Sequence, residues 1–132
     1  MQNLRGTMSK KKNENEIMAT SLFVSRSQFK MRVLADSFVR GKRADVALNL
    51  LSTSALKRAL PMEKLLRSAV ANALQKTNLS ANELRVKRII VDQGPMRRYF
   101  KTGAMGRANI QKKRSSHMEI ILEPYIYENK KV

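Results

Sequence analysis

Between Asp92 and His117 the chain reads DQGPMRRYFKTGAMGRANIQKKRSSH, and no acidic residue follows Asp92 until Glu119. The chemistry on offer is that of cations and rings. Arg97, Arg98, Lys101, Arg107, Lys112, Lys113 and Arg114 can neutralise phosphates, and Tyr99 and Phe100 interleave with the first of them. Guanidinium planes and aromatic rings stack on unpaired bases, and backbone can approach closely at glycine, so these residue types suit RNA. The two rings have a second use, packing across a hairpin to hold its arms together.

Nothing elsewhere assembles a reaction centre. The only histidine, His117, stands where a strand leaves the basic loop, with no Ser, Cys or carboxylate pattern around it, and reads as a partly exposed strand residue. The carboxylates have neither the spacing of a general acid–base pair nor that of a cation site. Gly94, Gly103 and Gly106 match no phosphate-cradling loop. The absence of cysteine removes disulfides, thiol chemistry and zinc knuckles, and fits a reducing compartment. The expectation is no enzyme, no metal and no cofactor.

Charge narrows the partner. Lys and Arg number 27 against 10 Asp and Glu, a net +17 with a pI near 10.9. Self-repulsion on that scale destabilises a compact monomer, so a polyanion belongs to the native state. Nucleic acid is the first candidate. An anionic membrane is the weaker one, because no apolar run approaches the roughly 20 residues of a spanning helix. No helix-turn-helix or basic zipper signature is present, which counts against sequence-specific DNA binding. A nucleoid-type, non-specific DNA-binding protein shares the charge and stands as the alternative, although it calls for dimerisation surfaces and groove-reading elements.

The elements that must position the basic loop are legible on either side of it. Leu84–Val91 and Met118–Leu122 are strand-like and bracket it, and their midpoint falls near Gly103–Ala104, where glycine supplies a tight turn. The reading is an antiparallel hairpin over 84–122 whose projecting arms reach about 40 Å at roughly 3.3 Å per residue. Alternation breaks at Arg88-Ile89, which predicts a bulge or a switch in the buried face there. Upstream, residues 1–16 lack periodicity and an apolar signal region and are expected to form a disordered basic arm. Ile17–Val24 is a first strand. Ser25 and Gln28 have capping-box spacing, and Met31, Leu34, Ala35 and Phe38 give the first helix one apolar face up to Arg40-Gly41. A second helix over Ala44–Ser52 turns Val46, Ala47, Leu50 and Leu51 inward. Pro61 opens a third, with Met62, Leu65, Leu66, Ala69, Val70, Ala73 and Leu74 as its buried stripe. Residues 17–132 thus form a single α+β domain: three helices packed on a small antiparallel three-stranded sheet, with a long protruding β-hairpin.

Three groups of residues carry a family resemblance. Val91-Asp92-Gln93-Gly94-Pro95, Ala104-Met105-Gly106-Arg107-Ala108 and Lys113-Arg114-Ser115-Ser116-His117 resemble the hairpin of the large-subunit ribosomal protein family numbered twenty-two in the bacterial scheme. Lys30 to Asp36 followed by Arg40-Gly41-Lys42 resembles that family's first helix, and Ser68 to Ala73 its third. The tip departs from the pattern, with Lys101-Thr102-Gly103 where the family usually shows a proline followed by arginine. The resemblance implies a structural constituent of the large ribosomal subunit, in the cytoplasm or an organelle. Its partners would be large-subunit rRNA, neighbouring large-subunit ribosomal proteins and the nascent polypeptide in the exit tunnel, with no membrane. Lys30, Arg32, Lys42 and Arg43 then join Arg97, Arg98, Lys101, Arg107, Lys112, Lys113 and Arg114 as expected rRNA contacts. Thr102, Gly103, Ala104, Met105, Gly106 and Arg107 form the tip expected to line the tunnel.

Overall fold

Three runs rich in β-branched and aliphatic residues make the sheet. In the computed structural model, which describes residues 16–125, they are β1 (Ile17–Val24), β2 (Leu84–Gln93) and β5 (Ser116–Pro124), ordered β1-β5-β2 and antiparallel throughout. The central place goes to β5, the one strand apolar on both faces: Met118, Ile120, Ile121 and Leu122 are all buried. Between β1 and β2 the chain forms α1 (Gln28–Phe38), α2 (Ala44–Thr53) and α3 (Ala59–Thr77). Met31 and Leu34 of α1, Leu51 of α2, and Met62 and Leu66 of α3 close over Leu84, Val86, Ile120 and Leu122 in one core. Of the two readings of the Arg88-Ile89 break, the bulge is the one observed, just ahead of it: the β2–β5 register shifts between Val86 and Arg88, leaving Lys87 as the extra residue.

Several helical details differ from the sequence reading. No side chain caps α1, which starts after Ser27 rather than Ser25, and Gln28 turns inward at 4% exposure instead of reaching back to the backbone. A capping box does occur, but at Ser80 and Glu83, before the short helical turn Ala81–Glu83 that leads into β2. In α2 the buried stripe is narrow, Ala44, Ala47 and Leu51, so Val46 is exposed and Leu50 only half-buried. Leu74 of α3 is also exposed, because the stripe through Met62, Leu66, Ala69 and Ala73 points one residue, about 100° of helix turn, away from it. Pro61 is the third residue of α3 rather than its opening, still within the first turn, where a missing N–H removes no helical bond. The arm expected over 1–16 lies outside the described residues apart from Glu16, which pairs with Lys87 at 3.2 Å.

Candidate nucleic-acid interface

Past Gln93 and Ser116, the last paired residues of β2 and β5, the two strands separate and re-pair as a second ladder. It is built from β3 (Arg97–Thr102) and β4 (Ala108–Lys113), in register from Arg97 opposite Lys113 to Thr102 opposite Ala108. Gly94, Pro95 and Met96 on one side of the break face only Arg114 and Ser115 on the other, so the ladder resumes one residue out of step. Two bonds close this root: Gly94 N–H donates to the Ser115 carbonyl at 2.9 Å, and Ser115 Oγ to the Pro95 carbonyl at 2.6 Å. In the sequence, only a glycine and a proline mark the break.

Alternation sorts the side chains of the projecting ladder into two faces. Arg97, Tyr99, Lys101 and Lys113 share one, and Lys113 Nζ lies 5.8 Å from the centre of the Tyr99 ring. Arg98, Phe100, Ile110 and Lys112 share the other, where Phe100 is 70% and Ile110 58% exposed. Tyr99 therefore serves the hairpin through a cation contact, while Phe100 is left open. Like charges stand directly opposite at Arg97–Lys113 and Arg98–Lys112, which disfavours the free hairpin. Among the described residues, no carboxylate forms an ion pair with any of these cations.

At the tip, Gly103 N–H donates to the Arg107 carbonyl at 2.6 Å around a short helical turn, Ala104–Gly106. Met105 and Gly106 take positive φ in succession, and the Met105 side chain is fully exposed. Thr102, Ala104 and Arg107 are exposed as well.

The cations expected on the body divide. Lys30 is exposed and lies beside the hairpin root. Arg32 gives its Nε–H to the Val91 carbonyl at 3.0 Å, and so is partly committed to the free edge of β2. Lys42 donates Nζ–H to the Ser37 carbonyl at 2.6 Å near the end of α1. Arg43 forms a two-point pair with Asp45, and that hydrogen-bonded guanidinium holds the Asp45 carboxyl below its ordinary range despite partial burial. Lys42 and Arg43 thus contribute positive potential but are engaged within the fold.

One part of the interface has no counterpart in the sequence reading. A cleft of about 1050 Å³ opens between the start of α1 and the hairpin root, and its walls carry Arg26, Lys30, Arg97, Lys112, Lys113 and Arg114. Phe23 also lines it. Arg26 is visible in the sequence as a cation off the apolar face of the first helix, open to phosphate contact or to plain solvation, whereas the place of Phe23 depends on a bulge in β1 between Ser21 and Val24 that no pattern announces. Among the described residues no cluster of His, Asp or Glu is arranged to hold a metal, and no helix is long and apolar enough to cross a membrane.

Residues 19–123, which include all but the outermost residues of the sheet, the helices and the whole hairpin, match the family model described as ribosomal protein L22p/L17e. The chain belongs to this family. Three curated relatives are each called large ribosomal subunit protein uL22. That of Myxococcus xanthus is 42% identical over 102 residues, 76% of this chain and 89% of the relative. That of Syntrophus aciditrophicus is 40% identical over 108 residues, 82% and 97% respectively. The Syntrophobacter fumaroxidans protein is 43% identical over 107 residues, 81% and 96%. Family membership makes the chain a ribosomal protein and not an enzyme.

Proposed function

We propose that this chain, a constituent of the large ribosomal subunit, binds large-subunit rRNA through both faces of its projecting hairpin and through the basic root beneath it. The observation that carries the reading is the β3–β4 ladder, fully exposed along β3, free of acidic residues and with cations facing cations across it. A ladder so arranged is stabilised when phosphates enter between the like charges, and bases can stack on Phe100. Arg97, Arg98, Lys101, Arg107, Lys112, Lys113 and Arg114 make these contacts, with Lys30 and the free nitrogens of Arg32 adding to them from α1. Lys42 and Arg43 act at longer range. The neighbours of the hairpin are then other large-subunit proteins, and the tip from Thr102 to Arg107 borders the path of the nascent polypeptide, as the family resemblance implies.

The test is a salt titration of the full chain on large-subunit rRNA, with the variant in which Arg97, Arg98, Lys112 and Lys113 are all glutamine. The variant should bind more weakly, and its log–log salt slope should shrink by about 0.7 to 0.9 for each phosphate no longer neutralised. Unchanged affinity and slope would remove the hairpin from the interface. Duplex DNA competing as well as rRNA would favour the non-specific DNA-binding alternative.

A further inference from the structure

Phe23 holds a strained backbone without gaining burial. Its φ is +56°, in the left-handed region where a bulky L-residue is a genuine outlier, and its ring is 65% exposed. Strain of this kind persists only where surrounding structure over-determines it, and it gathers at ligand clamps. Here the surrounding structure is His117 on the neighbouring strand. The Phe23 N–H donates to His117 Nδ1 at 3.0 Å, and the two rings meet edge to face with centroids 4.9 Å apart and planes at 89°. The bulge in β1 therefore swings the ring out of the core and His117 fixes it there, against the basic cleft.

We infer that this cleft seats one unpaired RNA nucleotide, its base stacked on Phe23 and its flanking phosphates held by Arg26, Lys30 and Arg114. The inference rests on the RNA-binding reading above and adds a defined subsite to it. An acidic peptide or free phosphate would use the cations but has no need of the ring, and a duplex cannot offer a base face to a side chain. The volume, about 1050 Å³, is close to the upper limit of the roughly 300–1,000 Å³ usual for small-ligand sites, enough for a base and its phosphates. None of Arg26, Lys30 or Arg114 is held by a carboxylate among the described residues.

The chain contains no tryptophan, so Phe23→Trp in the full protein is a sole indole reporter, excited apart from the tyrosines. Titrated with single-stranded poly(A), its emission should be quenched by stacking. Heparin, or an RNA duplex with the same number of phosphates, should bind without quenching it. Phe23→Ala should weaken poly(A) binding about 5- to 150-fold, the range for removal of one stacked base. Its affinity for heparin and duplex should stay within about twofold and its salt slope unchanged, because every phosphate-binding cation is retained. Phe23→Tyr should restore poly(A) affinity. Phe23→Gly, which relieves the positive φ and lacks the ring, should fold and bind as weakly as the alanine variant, so misfolding is not mistaken for absent stacking. Poly(A) affinity unaltered in the alanine and glycine variants, or indole emission of the Phe23→Trp variant indifferent to poly(A), overturns the subsite. If that occurs while the four-glutamine hairpin variant still loses affinity, the wider RNA-binding reading stands. If the parent binds no RNA at all, both fall.

Discussion

Gly94 and Ser115 close the hairpin root so tightly that a Cβ on Gly94 would lie 2.4 Å from Ser115 Oγ and 3.1 Å from its carbonyl carbon. The hydroxyl cannot swing away without giving up its bond to the Pro95 carbonyl. Gly94→Ala should therefore cost about 1–3 kcal/mol, as overpacking does. Ser115→Ala alone should cost about 0.5–1.5 kcal/mol for one hydrogen bond. Together they should cost less than the sum, since removing the hydroxyl removes the closest clash. Urea melts of the three variants check the energies, and amide hydrogen exchange should show β3 and β4 opening first. Additive costs would mean that the two residues do not share the root.

The facing cations make a prediction whose two halves have opposite signs. Replacing Arg97 and Arg98 by glutamate turns two like-charge cross-strand pairs, with Lys113 and Lys112, into opposite-charge pairs. Such pairs contribute roughly 0.2–1 kcal/mol each, so the free hairpin should become more ordered and its amides better protected. Affinity for rRNA should collapse in the same protein. Replacing Leu65 of α3, 4% exposed, by alanine should do the reverse: about 2–5 kcal/mol removed from the body's stability and intrinsic RNA contacts untouched. Hydrogen exchange and rRNA titration on the same samples separate the two effects.

The body was legible wherever one physical rule governed the residues. β1 follows from its apolar content at its observed bounds, the β2–β5 pairing from two apolar runs, and the Val86–Arg88 bulge from a break in alternation. The turn between β3 and β4 follows from glycines midway along the loop. Failures came where side chains had two acceptable states. Ser25 and Gln28 match a capping box by spacing, yet the core takes Gln28, and Val46 and Leu74 have apolar side chains that the narrow buried stripes leave outside. At the interface, charge pointed to the hairpin arms. It did not distinguish Lys42 and Arg43, engaged by hydrogen bonds within the fold, from Arg26, which faces the cleft. Phe23 was invisible because its orientation depends on the positive φ at the bulge and on a partner, His117, that stands 94 residues further along the chain.

That positive φ sets its own order of stabilities at position 23. Glycine meets no steric penalty there, alanine some, and a β-branched residue the most. Phe23→Gly should stay within about 1 kcal/mol of the parent, because relief of backbone strain offsets the missing ring contact with His117, which is worth about 0.5–1.5 kcal/mol. Phe23→Val should fall about 1–2 kcal/mol below the glycine variant. Thermal melts at neutral pH measure the series, and a valine variant as stable as glycine would show that the strand relaxes to ordinary extended geometry.

Acid should weaken the start of α2 through one pair. The Asp45 carboxyl is lowered from 3.8, first by the hydrogen bond from Arg43, with burial acting in the opposite direction. A carboxyl depressed in the folded state stabilises fully above its unfolded value, and that contribution disappears as pH falls through the folded one. Asp45→Asn should accordingly be less stable than the parent at about pH 6, and the gap should narrow once the pH drops below the ordinary carboxylate value and close as it passes the lowered folded-state one. Arg43→Gln should show the same convergence. Stability curves that stay parallel throughout acidification would mean that the pair does not couple to folding.

The tip combines an ordered turn with a fully exposed side chain. The bond from Gly103 N–H to the Arg107 carbonyl holds the turn closed, and a side chain on Gly103 would crowd that same carbonyl at 3.2 Å. Met105, in the left-handed region, projects entirely into solvent. A solvent-exposed turn of this kind is ordinarily tolerant of change, so the free protein should survive deletion of Thr102–Met105 with its melting temperature nearly unaltered. The arms keep the cations proposed to contact rRNA, and the truncated chain should still enter the particle. What should change is passage of the nascent chain: ribosomes carrying the deletion should stall differently on arrest peptides and respond differently to small molecules that bind in the tunnel. Translation of a panel of stalling sequences, with and without such compounds, reads this directly. Behaviour identical to the parent across the panel would reduce the tip to a passive turn, whereas failure of the truncated chain to enter the particle would place essential RNA contacts in the tip itself.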